Sequence, residues 1–170
     1  MSREKLTRAF LWVSVLAWGV GLGAKLFDLL VLASAWGAKP PSSLALYPYG
    51  PNWPVNPGVF FQPLSGLLLV VSSGALIAGW KTGRSYRIWL ALPVIALAII
   101  WIITPTLFWP MINTLYAVWR GRLAMSEAEQ VQLVHRWMIA DSFRVIAIAT
   151  GFVSATRSLS VPYSLPVERS

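Results

Sequence analysis

Four apolar stretches dominate the chain, at about 9–36, 64–80, 88–108 and 133–157. Each approaches or exceeds the ~20 residues that carry a helix across the hydrocarbon of a bilayer. Composition agrees: 56% of the residues are hydrophobic, 12% are charged and ten are Trp. Soluble domains carry about 25% charged residues. The sequence therefore predicts an all-α integral membrane protein: a four-helix bundle forming a single transmembrane domain over 1–170, without repeats. A cleaved signal peptide would have a shorter apolar core than Ala9 to Trp36, and would not carry Lys25 and Asp28 near its far end.

The formal net charge of +8 raises the possibility of nucleic-acid binding. The basic residues flank the apolar spans instead, as topology signals do, so the expected environment is the lipid bilayer, with no nucleic acid. Four spans put both termini and the central connection on one side, with Arg3, Lys5, Arg8, Lys81, Arg84, Arg87, Arg157 and Arg169. The other side has Lys39, Arg120, Arg122 and Arg136. That asymmetry predicts cytoplasmic termini, in a bacterial inner membrane. The absence of Cys excludes disulfides, thiol redox centres and thiolate metal sites.

Residues 39–63 form a different kind of segment. Seven prolines, Pro40 to Pro63, alternate with Tyr47, Tyr49, Trp53, Phe60 and Phe61. That proline density argues against regular helix, and the aromatics against a polar linker. An ordered loop on the outer interface is expected, either anchoring to headgroups or covering a site. In the third span, Pro105 and Pro110 are expected to break the outer end, leaving Met111 to Trp119 as a separate helical piece. Ser126-Glu127-Ala128-Glu129 has the form of a capping box and marks the start of the fourth helix.

Charges inside apolar spans are costly and mark candidate sites. Lys25 and Asp28 lie in the first span, Asp141 and Arg144 in the fourth. At 1.5 Å per residue Lys25 and Asp141 both lie roughly 22 Å above the inner edge, and Arg144 roughly 18 Å. The four sum to zero, and Lys25 with Asp141 and Asp28 with Arg144 are the expected cross-helix pairs. Trp137, Asp141, Arg144 and Ile148 share one helix face. Such a cluster can line a reaction site or simply fix helix register. Asn113 could face the same cavity, or satisfy carbonyls freed by the prolines. Trp137, one turn from Asp141, could be a belt residue or a stacking wall. His135 is the only histidine, so no multi-histidine metal or haem site can form. It lies off the Asp141 face, a headgroup-facing position, with general base as the alternative. Gln62 and Asn56 border the cavity mouth.

Pro110-Met111-Ile112-Asn113, followed by Arg136-Trp137-Met138-Ile139-Ala140-Asp141-Ser142-Phe143-Arg144, resembles the anthrone-oxygenase-like family of small four-helix membrane proteins. That pattern has Pro-x-x-Asn near the end of the third span, and a Trp, a polar residue four later and an Arg three after that in the fourth. Its polar position, here Asp141, is more often Asn. The resemblance implies an oxygenase that uses neither metal nor flavin and converts an activated anthrone-like carbon to a ketone. Asp141 or Asp28 would serve as base and Arg144 or Lys25 as electrostatic stabiliser, with Asn113, Trp137, His135, Phe61 and Gln62 around a hydrophobic small molecule. The expectation from another class is a non-catalytic accessory subunit, packing against partner membrane subunits through Gly21, Gly66, Gly74 and Gly151. A transporter would be expected to show an inverted repeat, and none is evident.

Overall fold

The computed structural model describes residues 2–48 and 55–163. These residues are all-helical, with no strand among them. Four helices are long and apolar enough to cross a membrane: α1 (Arg3–Trp36), α2 (Gly58–Ala78), α3 (Arg84–Trp119) and α4 (Glu127–Ser160). A short 3₁₀ turn, Ser42–Leu46, lies between α1 and α2.

Most buried residues of α1 follow a regular rhythm, with Ala17 beside it. Thr7, Leu11, Ser14, Trp18, Gly21, Lys25 and Asp28 are buried at alternating steps of four and three. Helix α4 repeats it with Gln130, Val134, Trp137, Asp141, Ile148, Gly151, Ala155 and Ser158, and the half-buried Arg144 falls in register between Asp141 and Ile148. A seam with a 3.5-residue period is the pattern of left-handed helix packing. The charged residues thus occupy seam positions that would ordinarily hold Leu or Ile.

Two π-helical segments interrupt this regularity, Asp28–Ala33 in α1 and Thr104–Phe108 in α3. The first inserts one residue into the rhythm. Continued from Asp28, the seam would fall on 32 and 35; the buried residues are Ala33 and Trp36. The second carries Pro105 without ending the helix, so α3 runs on to Trp119 rather than breaking into the separate piece expected from sequence. The wide turn accommodates a residue with no N–H. The Thr104 and Thr106 hydroxyls donate to the carbonyls of Ile100 and Ile102 at 2.7 Å each, satisfying groups that the irregularity would leave open. Similarly, α2 begins at Gly58, before Pro63, so Phe60 and Phe61 are helical rather than loop residues. The expected capping box is present. Glu129 N–H donates to Ser126 Oγ at 3.3 Å, and Ser126 N–H to Glu129 Oε2 at 2.8 Å.

The chain divides into two compact units, each built from separate segments. One comprises the chain up to Leu22, Gln62–Ile99 and the chain from Ala147. Its helices meet through small residues. A Cβ on Gly151 would lie 2.7 Å from the Trp18 ring, and one on Gly74 2.8 Å from the Phe10 ring. Trp18 Nε1 donates to Ser72 Oγ at 3.3 Å, and Tyr86 donates to the Ser158 carbonyl at 3.0 Å. The other unit, Gly23–Phe61 with Ile100–Ile146, contains Lys25, Asp28, Asp141 and Arg144. Its core gathers Ala33, Trp36, Leu44, Tyr47, Phe108, Leu115, Val134 and Trp137.

Candidate functional site

Lys25 stands at the centre of the charged cluster. On α1 its neighbour three residues along is Asp28, and the two form an ion pair. From α4, Asp141 Oδ2 lies 2.9 Å from Lys25 Nζ, so the cross-helix pair expected from depth is present. The contact is an ion pair rather than an aligned hydrogen bond, since Oδ2 has no hydrogen-bond partner. Asp141 Oδ1 accepts from Arg144 Nε at 2.8 Å and also contacts its Nη2. The result is an alternating row, Asp28–Lys25–Asp141–Arg144, summing to zero. Asp28 was expected to pair with Arg144; it meets Lys25 instead. The reason is local: residues three apart on a helix already face each other one turn along, so each acid takes the base on its own helix.

Aromatic rings enclose the row. Lys25 Nζ lies 5.4 Å from the Trp137 ring centroid and 5.6 Å from that of Phe61. The Arg144 guanidinium stacks 3.7 Å from the centre of Phe108. Trp137 meets Phe108 edge-on at 6.0 Å and Trp36 at 5.1 Å, and Trp36 meets Tyr47 at 4.9 Å. Cation–π contacts strengthen when desolvated, and here burial is nearly complete. Lys25 and Asp28 are each 4% exposed, Trp137 is 1% and Asp141 is 0%.

Within this packed setting Trp137 contributes an open donor. Trp137 Nε1 is buried and has no hydrogen-bond partner among the described residues. Asp28 engages Lys25 through Oδ2. The indole N–H is a donor and the Asp28 carboxylate an acceptor, and both residues lie next to Lys25. A buried polar group without a partner costs free energy, so the open indole N–H leaves room in the chemistry of the cluster for a further polar group.

Of the residues expected at the site, Lys25, Asp28, Phe61, Trp137, Asp141 and Arg144 come together. Asn113, Gln62 and His135 are exposed. Asn113 lies outside the cluster because α3 does not break where expected, so the face it presents follows from an uninterrupted helix. The expected cover, Tyr47 to Phe61, is represented at its ends: Tyr47 packs on Trp36, and Phe61 approaches Lys25 from the first turns of α2. Residues 49–54 of that loop lie outside the described residues.

The sequence does not single out Trp36 or Phe108 as walls of the site. Eight residues separate Trp36 from Asp28, which on a straight α-helix places them roughly 80° apart. Only the π-helical turn between them restores a common face. Beside the cluster, Ile103, Leu107, Arg136, Ile139, Ala140 and Phe143 line an open groove of about 340 Å³. The chain matches no family model, no curated protein and no solved structure.

Proposed function

We propose that the chain is an integral membrane protein whose charged cluster binds an oxygen-bearing hydrophobic small molecule and oxidises it without metal or flavin. Membrane insertion is supported by the four long apolar helices and by large exposed side chains along them, among them Trp12, Leu16, Ile77, Ile102, Phe143 and Val153. Soluble monomers rarely expose contiguous apolar surface on this scale. The proposed setting is a bacterial inner membrane with both termini cytoplasmic, following the basic residues.

The observation that carries the catalytic proposal is the buried, unpartnered Trp137 N–H in a cluster where Lys25 also meets the Asp28 carboxylate. A substrate with an acidic CH₂ next to a conjugated carbonyl, as in an anthrone, matches both groups. The Asp28 carboxylate takes the proton. The enolate oxygen is held by the Trp137 N–H and the Lys25 charge, in surroundings that exclude water. The enolate carbon then bonds to dioxygen, and loss of water from the peroxide leaves the ketone, so CH₂ and O₂ become C=O and H₂O. Asp141 has one oxygen on Lys25 and the other on Arg144. Its role here is to position Lys25, leaving Asp28 as the base.

Membranes containing the chain should consume one O₂ per anthrone oxidised, and Asp28→Asn should lower the rate about 100-fold. Turnover equal to that of membranes lacking the chain would overturn the oxygenase proposal. A second role, as a non-catalytic subunit of a membrane assembly, is favoured by the complete burial of Asp141, which suits a purely structural charge cluster. Two of the glycines proposed for partner packing, Gly74 and Gly151, are occupied by rings of this chain. That weighs against the subunit role.

A further inference from the structure

We propose that the groove between α3 and α4 is a binding site for one anionic phospholipid, its phosphate held by Arg136 and an acyl chain laid along the apolar floor. This rests on the membrane setting proposed above but not on the oxygenase chemistry. Arg136, Ile139, Ala140 and Phe143 fall at i, i+3, i+4 and i+7 of α4, so they form a single stripe down one face. Ile103 and Leu107, four apart on α3, form the facing wall. The groove has depth for two local reasons. Ala140 is a methyl between the larger Ile139 and Phe143, and Leu107 stands on the widened turn at Thr104–Phe108.

The charge distribution selects the occupant. Five of the six lining residues are apolar, and the sixth, Arg136, is a cation at the end of the stripe nearer the start of α4. Among the described residues Arg136 forms no ion pair, whereas Lys25 and Arg144 do. Arg136 and Phe143 are seven residues apart, roughly 10 Å along the helix, so a phosphate on the guanidinium leaves about two turns of apolar floor for the chain. A guanidinium forks onto phosphate oxygens in a way a choline headgroup does not obstruct but does neutralise. The preference should therefore be for phosphatidylglycerol over phosphatidylcholine.

The test uses the full chain purified in neutral detergent, titrated with phosphatidylglycerol or phosphatidylcholine of identical acyl chains and read by native mass spectrometry. The expected result is one phosphatidylglycerol retained per chain in preference to phosphatidylcholine. Arg136→Gln, on an exposed side chain, should lower phosphatidylglycerol occupancy about 5-fold and abolish the preference. Ala140→Phe should fill the floor and lower occupancy of both lipids; if that variant fails to fold, Phe143→Ala removes one wall and serves the same purpose. Equal retention of both lipids, or occupancy unchanged in Arg136→Gln, would overturn the site. Recovery of the chain in the soluble fraction would overturn the membrane setting itself, and absence of anthrone turnover would leave the lipid site standing.

Discussion

Asp141 concentrates the energetics of the cluster in one side chain, because among the described residues it alone is shared by two cations. Asp141→Ala leaves the half-buried Arg144 over Phe108 without a counter-charge, while Lys25 keeps Asp28. Breaking a buried pair from one side costs about 3 kcal/mol or more, so the melting temperature in detergent should fall by about 10 °C. Melting like that of the unaltered chain would show that the contact contributes nothing. Replacing all four charges together (Lys25→Met, Asp28→Leu, Asp141→Leu, Arg144→Met) should restore most of that loss, since apolar substitutes of similar volume remove the desolvation cost as well. The same variant should not turn over substrate. At this scale the sequence was largely legible: charges so sparse in apolar spans stand out, and equal depth from opposite membrane faces pairs Lys25 with Asp141. The partner of Asp28 was not, because nothing in the spacing ranks a cross-helix contact above one a single turn away. The open indole of Trp137 was not legible either. A hydrogen bond left unmade has no sequence signature.

Among the elements, the π-helical turn at Asp28–Ala33 has the sharpest consequence. It absorbs one extra residue so that Ala33 and Trp36 stay on the face that carries Lys25 and Asp28. Deleting the exposed Leu30 should therefore be tolerated: the segment becomes ordinary α-helix and both buried residues keep their side of the helix. Deleting Gly23, which is also exposed, should not be tolerated. No wide turn lies there to take up the change, and everything beyond it rotates by about 100°, carrying Lys25 away from Asp141. Yield of detergent-stable protein from the two deletions measures this, and equal yields would remove the register argument. The seam itself was readable in outline from Trp137, Asp141, Arg144 and Ile148. The helix bounds near proline were not. Proline weakens a helix by a missing hydrogen bond and a clash, and a widened turn with two threonine hydroxyls relieves both at Pro105.

At the scale of the whole molecule, the distribution of basic residues fixes an expected orientation. A reporter fused after Ser170 should be active only when the fused domain is cytoplasmic, and activity confined to the external side would reverse the topology. Orientation also bears on how such a chain enters a bilayer. Lys25 pairs with Asp28 within α1, and Asp141 with Arg144 within α4. Each helix therefore carries a counter-ion for its own cluster charge before it meets any other. The insertion machinery would not have to hold α1, with a bare ammonium in the hydrocarbon, until α4 is synthesised more than a hundred residues later. Insertion and association become separable steps. The first relies on pairs one turn apart; the second needs only the exchange by which Lys25 reaches a second carboxylate. Separating Lys25 from Asp28 by swapping Asp28 with Leu29 should accordingly impair entry of α1 in a cell-free translation system that stops before α4 is made.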